Sequence, residues 1–233
     1  MIPLRDANPI RRTPVVTLGL IAACFAVFAV EMAVWAQGGD HALEDLVAAW
    51  GLTPSKLSGA LRDGSLLSLP VATVFTSMFL HGGWLHILGN MLFLWIFGGR
   101  VEDRMGRAWF LVFYLLGGIA AAAGQTLVDP KLAEPLVGAS GAISAVLAAY
   151  LVLFPRARIQ SLVYLGFFYQ LIAVPSVIVL GFWFVLQVLD GIASLGASGI
   201  SSGVAVFAHI GGFTAGILLA LPFRARLLGR RDG

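Results

Sequence analysis

Six runs of this sequence contain no Asp, Glu, Lys or Arg, and each is long enough to hold a membrane-spanning helix. They are residues 13–30, 64–99, 108–128, 135–155, 159–189 and 191–223. A spanning helix needs about 20 apolar residues, because the hydrocarbon core of a bilayer is ~30 Å thick. Only 12% of the 233 residues are charged, about half the share in a soluble domain. The sequence therefore predicts an all-α integral membrane protein with six transmembrane helices.

Most of the 15 Lys and Arg residues lie before the first run or after the second, fourth and sixth. By the positive-inside rule this places both termini in the cytoplasm. The net charge of +3 then reflects topology, and it does not indicate a nucleic-acid partner. We expect an uncleaved signal anchor in the first run and a single membrane domain over 1–233, with tails at 1–12 and 223–233. The Ala/Gly/Arg-rich composition favours a bacterial inner membrane.

A serine between glycines begins the fourth run, in Gly138-Ala139-Ser140-Gly141. A helix is expected from Ser140 to about Phe154, and its free N–H groups and dipole would stabilise an oxyanion beside the serine. The same short pattern also fits a helix cap or a small-residue packing site. Such a helix spans only ~22 Å, so Ser140 is expected in a water-filled depression below the outer surface.

Two other runs carry polar side chains. His86 and Asn90 are four residues apart, so they project from one face of a helix. This pair is costly in a bilayer without partners or water, and it fits either polar packing between helices or chemistry. A metal site is disfavoured because no third ligand has a useful spacing. In the last run Gly212 and Gly216 share a face with His209, which allows a neighbouring helix to approach closely.

Together these residues supply the roles that acyl transfer requires. Ser140 is the candidate nucleophile, and His209 is the candidate general base and later general acid. Asn90, His86 and the backbone N–H of Ser140 are candidate donors to an oxyanion. No Asp or Glu in the apolar runs is placed to orient His209. The sequence therefore predicts a Ser–His dyad that works through an acyl-enzyme.

Four patterns follow one another along the chain: His81-x4-His86-x3-Asn90, Glu102-x3-Gly106, Gly138-x-Ser140-Gly141 and Ala208-His209-x2-Gly212-x3-Gly216. Together they resemble the motifs of the rhomboid intramembrane serine proteases, over roughly residues 70–222. The resemblance implies a six-helix rhomboid core and cleavage of transmembrane protein substrates near the outer membrane boundary, with no metal or other cofactor. It implies supporting roles for His81, Gly138, Gly141, Gly212, Gly216, Glu102 and Gly106.

The resemblance also implies that the segment after the first span is a membrane-associated L1 element, and that the fifth span with its following loop gates entry. Two departures stand out: Ser144 replaces a tyrosine that stacks on the catalytic histidine in many relatives, and a Trp-Arg pair of L1 is missing. The alternatives are a catalytically silent rhomboid-fold protein that binds membrane clients, and a transporter, which would show related halves. Expected partners are transmembrane substrates and lipid; no oligomeric state is specified.

The sequence also gives expectations for two carboxylates and for the boundaries of the last spans. Glu31, at the outer end of a first span from Val15 to about Trp35, is expected to reach the interface without a catalytic role. Glu102 is expected to form ion pairs with the arginines of its turn. The last third of the chain divides into an inner linker (159–169), a fifth span (171–189), an outer loop (191–203) and a sixth span from Val204.

Overall fold

The computed structural model of the chain describes residues 2–8, 10–165, 168–195 and 206–228. The helices in these residues are α1 (Val15–Trp50), α2 (Pro54–Arg62), α3 (Leu69–Thr76), α4 (Trp84–Phe93), α5 (Gly99–Met105), α6 (Arg107–Val128), α7 (Ser140–Leu153), α8 (Ser176–Leu195) and α9 (Val206–Leu228). The strands are β1 (Ile2–Asp6), β2 (Arg158–Leu165) and β3 (Phe168–Pro175). The chain is therefore mostly helical, as predicted.

Four helical segments in the described residues are long and apolar enough to cross a membrane. They are Val15–Trp50, Trp84–Met105, Arg107–Val128 and Val206–Ala225. Two shorter apolar helices, Ser140–Leu153 and Ser176–Leu186, accompany them. The second segment is one continuous rod, because α4 runs through a π-helical turn (Leu94–Gly98) into α5.

Helix α7 lies at the centre of the bundle, with every residue from Gly141 to Tyr150 buried. Helix α9 packs closely on it through glycines, as the sequence predicted. A Cβ atom at Gly212 would collide with the carbonyl oxygen of Gly141, and one at Gly216 would collide with the carbonyl oxygen of Ala145. Only glycine allows the two backbones this approach.

A three-stranded antiparallel sheet, in the order β1-β2-β3, was not predicted, and the expectation of an all-α chain is wrong to that extent. Strand β1 lies in the predicted N-terminal tail, and β2 and β3 replace the predicted linker at 159–169 and the start of the fifth span. Helix α8 begins at Ser176 rather than Leu171. The segment alternates like a strand, since Ile159 and Ser161 are fully buried while Arg158 is exposed. Because the segment after Arg158 carries no charge, this alternation was not recognised, and the segment was interpreted as a linker followed by a span.

Helix boundaries also differ from the predictions. Helix α1 continues past Trp35 to Trp50, with a kink at Gly39, whose φ of 69° favours glycine. Helix α8 reaches Leu195, inside the predicted outer loop, and the remainder of that loop with Val204 lies outside the described residues. Helix α9 extends to Leu228, inside the predicted C-terminal tail.

A partly buried polar cluster joins β1 to α5 and α7. Arg100 forms an ion pair with Asp6 at 3.0 Å, and the hydroxyl of Tyr150 donates a hydrogen bond to the same carboxylate at 2.5 Å. The guanidinium of Arg100 lies over the ring of Phe154, 4.3 Å from its centroid. The end of α7 opposite Ser140 is thereby tied to the N-terminal strand.

Candidate active site

Ser140 and His209 meet across the glycine-lined contact of α7 and α9. The Nε2 atom of His209 lies 2.7 Å from the Oγ atom of Ser140, within hydrogen-bonding distance. Ser140 is the first residue of α7 and is half-buried, whereas His209 is only 4% exposed. In the neutral tautomer that carries its proton on Nδ1, Nε2 accepts the hydrogen bond from the Ser140 hydroxyl.

The segment before Ser140 is fixed by backbone hydrogen bonds to the chain between α1 and α4. Leu52 and Leu136 exchange two such bonds, at 2.9 and 2.7 Å. The N–H of Gly138 donates to the carbonyl of Ser77 at 2.9 Å. The turn that leads into Ser140 is therefore held by two separate segments of the chain, one at Leu52 and one at Ser77.

His86 and Asn90 stand beside this turn, on the same face of α4 as predicted. A Cβ atom at Gly138 would lie 2.7 Å from His86 Nε2 and 3.7 Å from Asn90 Nδ2, so a larger residue would displace the imidazole. The φ of Gly138, 125°, also favours glycine. The N–H of Gly82 donates to His86 Nδ1 at 3.3 Å, which leaves the proton of the neutral ring on Nε2, facing Gly138.

Asn90 carries an amide nitrogen without a partner. Its Nδ2 atom is buried and has no hydrogen-bond acceptor among the described residues. Leaving a buried donor unpaired costs about 1–3 kcal/mol, so such a group calls for an explanation. Together with His86 Nε2, it gives two donors that converge on the space beside Gly138, next to the nucleophile.

His81 is held from behind by Glu31. The backbone N–H of His81 donates to the Glu31 carboxylate at 3.0 Å, and both residues are almost fully buried. The ring of His81 lies edge-on to that of His86, with 5.2 Å between centroids. The expectation that Glu31 reaches the interface is wrong: it fixes the loop that leads into α4.

Glu102 acts at the opposite end of the molecule. Its carboxylate accepts hydrogen bonds from the N–H of Val16 at 3.0 Å and from the N–H and hydroxyl of Thr17, both at 2.7 Å. It thus satisfies donors in the first turn of α1, whose N-terminus also favours a negative charge. These bonds were not predicted, and of the arginines in the turn Arg100 pairs with Asp6; an ion pair of Glu102 with its turn stays a prediction. Gly106, with φ of 85°, ends α5 and begins α6.

Trp183 of α8 contacts the His209 ring and was not identified from the sequence. The two ring centroids are 5.9 Å apart at an interplanar angle of 60°, and Trp183 also packs on Phe93 of α4 at 5.8 Å. At the tyrosine position, the hydroxyl of Ser144 donates a hydrogen bond to the carbonyl of Ser140 at 2.8 Å. The one sequence signal for Trp183 is its position between two phenylalanines, Phe182 and Phe184.

The described residues contain no group of three or more His, Cys, Asp or Glu side chains that could hold a metal ion. The Nδ1 atom of His209 is buried and, within the same ranges, has no hydrogen-bond partner. No carboxylate in the described part of the chain therefore orients the imidazole by a hydrogen bond.

The sequence was compared with known proteins. Residues 70–226, more than half of the chain, match the family model of the Rhomboid domain. RHOMBOID-like protein 1 of Arabidopsis thaliana is 28% identical over 223 residues, which cover 89% of this chain and 52% of that protein. Rhomboid protease GluP of Bacillus subtilis is 34% identical over 195 residues, covering 84% of this chain and 33% of GluP.

A third relative, Rhomboid protein 1, mitochondrial, of Saccharomyces cerevisiae, is 36% identical over 97 residues, which cover 40% of this chain and 28% of the yeast protein. The chain thus spans about half, or less, of the length of these relatives. The matched region contains the candidate nucleophile and base, Ser140 and His209, together with His86, Asn90 and Glu102. On the strength of the family match, this chain belongs to the rhomboid family and is an integral membrane protein.

Proposed function

We propose that this chain is an intramembrane serine endopeptidase that uses a Ser140–His209 dyad. The observation that carries the proposal is the 2.7 Å contact between His209 Nε2 and Ser140 Oγ. Membership of a family that includes Rhomboid protease GluP supports the same reaction class.

In the acylation step, Ser140 Oγ attacks the carbonyl carbon of the scissile peptide bond while His209 Nε2 takes the hydroxyl proton. The carbonyl oxygen becomes an oxyanion in a tetrahedral intermediate. When the intermediate collapses, the C–N bond breaks, and His209 returns the proton to the leaving amine. The product is an ester between Ser140 and the acyl part of the substrate.

The oxyanion is stabilised by donors that the site holds ready. The unpartnered Nδ2 of Asn90 supports this role, as does the Nε2 of His86, because both face the space beside Gly138. The backbone N–H of Ser140, at the start of α7, is the third donor we propose. Each bond strengthens as negative charge develops, so these donors act on the transition state more than on the bound substrate.

Deacylation reverses the roles. Water attacks the ester carbon, His209 Nε2 accepts its proton, and the proton then returns to Ser140 Oγ as the acid product leaves. This step needs water next to a helix within the bilayer. The half-buried position of Ser140 and the shortness of α7 are consistent with a depression open to the outer surface.

We propose a six-span topology with both termini in the cytoplasm of a bacterial inner membrane, with α7 and α8 as the fourth and fifth spans. The distribution of Arg and Lys supports it. Helices α2 and α3 lie in the segment proposed as L1, and the exposed Leu61, Leu66 and Leu69 there favour association with the membrane surface. Helix α8 and the following loop are the proposed gate.

The substrates we propose are single-span or other transmembrane proteins cut near the outer boundary. An intact helix hides its carbonyl groups in hydrogen bonds, so the scissile segment must unwind to reach Ser140. Replacing helix-breaking residues near the cleavage site of a model substrate by alanine should therefore slow its cleavage. An unchanged rate would contradict the requirement for unwinding.

The nucleophile is tested with a model transmembrane substrate in liposomes and with labelling by a serine-reactive fluorophosphonate. Ser140→Ala should abolish both signals, and His209→Ala should reduce both to background. Ser144→Ala is a matched control, because this serine lies one turn further along α7 and its hydroxyl faces the Ser140 carbonyl. It should retain both signals.

The outcomes separate the alternatives. Labelling that persists in the Ser140→Ala variant would show that another residue reacts, and the dyad would be wrong. The absence of both signals from folded wild-type protein would favour a catalytically silent protein that binds membrane clients.

A further inference from the structure

The distal half of the β2–β3 hairpin exposes apolar side chains on both of its faces. Register and alternation place Tyr164, Tyr169 and Leu171 on one face and Phe168 and Ile172 on the other. Four of these side chains are 67–75% exposed, and Ile172 is 43% exposed. The same half also carries the exposed Gln170, but a hairpin surrounded by water would carry mainly polar side chains on at least one face. This surface therefore calls for a nonpolar or amphipathic environment.

The proximal half of the same hairpin is firmly anchored. Ile159 and Ser161 are fully buried, and Val174 is 8% exposed. Strand β1 pairs with β2 only as far as Leu162, the partner of Leu171, so it does not reach the level of Tyr164 and Tyr169. The apolar end consequently projects from the bundle without other cover from the described residues.

We propose that this distal half lies in the interfacial layer of the lipid bilayer, on the side of the N-terminal strand. Strand β3 passes directly into α8 at Ser176, and the first residues of that apolar helix, Val177 and Ile178, are 57% and 55% exposed. The exposed Leu171 and Ile172 thus continue the apolar surface of a proposed membrane helix onto the sheet. The occupant of this surface is lipid.

The backbone sets the depth of the hairpin. In the described chain, no strand pairs with the outer edge of β3, or with the β1-side edge of β2 beyond Leu162. Backbone N–H and C=O groups along these edges have no partner strand. Such edges do not occur in the hydrocarbon core but are satisfied among headgroups and water. Tyr164 and Tyr169 have the amphipathic rings that favour this layer. Arg156 and Arg158, exposed at the base of the hairpin, can meet lipid phosphates.

The test measures depth directly. Tyr169→Cys is made in a Cys24→Ala background, since Cys24 is the only cysteine, and labelled with an environment-sensitive fluorophore in liposomes. The liposomes contain phospholipids with a nitroxide quencher either near the headgroup or near the chain end. The control is Lys131→Cys, in the exposed loop between α6 and α7.

We expect blue-shifted emission at position 169, with stronger quenching by the shallow nitroxide, and water-like emission with little quenching at 131. A label at Leu171→Cys should behave like 169 and guards against misfolding at one position. Water-like emission at both hairpin positions would overturn the proposal. So would equal or stronger quenching by the deep nitroxide.

Energy transfer between labelled copies without lipid quenching would also overturn it, because a second copy of the chain would then cover the hairpin. None of these measurements uses proteolysis, so their failure leaves the proposed function untouched.

Discussion

Gly138 offers a sharp test of the proposed oxyanion donors. An alanine there would place its Cβ 2.7 Å from His86 Nε2, whereas ordinary contact begins at 3.4 Å, so the imidazole must retreat by about 0.7 Å. The φ of 125° adds backbone strain. A displacement near 1 Å can cost ~10²-fold in rate, and losing one oxyanion donor costs ~10²–10³-fold. We expect Gly138→Ala to lower kcat by ~10²-fold or more in liposomes.

Two glycines near the same ring provide controls. At Gly82 a Cβ would lie 3.7 Å from His86 Nδ1, an ordinary contact, so Gly82→Ala should stay within about twofold of wild type. At Gly83, with φ of 145°, a Cβ meets nothing within 4 Å, so Gly83→Ala reports backbone strain alone. Thermal melting is measured for all three. A folded Gly138→Ala variant with wild-type kcat would refute the reasoning, as would equal losses in all three.

Three further predictions concern the supports of the site. Trp183→Ala removes an aromatic contact worth about 0.5–1.5 kcal/mol from the imidazole of the dyad, so kcat should fall ~2- to 10-fold. Trp183→Phe should restore most of the activity. An unchanged kcat in both variants would show that this ring does not contribute to catalysis. Glu102→Gln weakens the charge-assisted bonds to the first turn of α1, and the free energy of unfolding should fall by ~1.5–3 kcal/mol. Asp103→Asn should have a small effect, because it only weakens one exposed bond; equal effects would contradict the capping role. Gly216→Ala should destabilise by ~1–3 kcal/mol by pushing against the α7 backbone, whereas Gly181→Ala, with open space, should not; melting curves check both.

Hydrophobicity and glycine spacing predicted the mostly helical fold and the close contact of α9 with its neighbour. The short helix from Ser140 was predicted from its apolar run. The glycine-faced contact of α9 was predicted from the spacing of Gly212 and Gly216, because so close an approach of two backbones leaves no room for a side chain. The sheet was not predicted, because β2 and β3 lack charged residues after Arg158: β2 was interpreted as a linker, and most of β3 as the beginning of the fifth span. Alternation between Arg158, Ile159, Gln160 and Ser161 was the available signal.

At the site, motif spacing identified the residues that face one another but not those that act through a distant partner. Glu31 and Glu102 looked like interfacial or surface groups, because a sequence does not show that each carboxylate is buried against backbone N–H groups far along the chain. Trp183 was one aromatic residue among several in an apolar helix. Its contact with His209 depends on how α8 packs, which periodicity does not specify.

The π-helical turn at Leu94–Gly98 divides the long helical rod into two sections. It changes the direction in which the side chains of one section point, about the helix axis, relative to those of the other. Each residue of an α-helix advances the chain by about 100°, and a wider turn changes the rotation of everything beyond it. His86 and Asn90 can therefore face α7 while Glu102 faces α1, from one unbroken helix. A one-residue deletion in that turn would preserve every functional side chain and still turn one set away from its partners. Insertions and deletions here should be far less tolerated than substitutions.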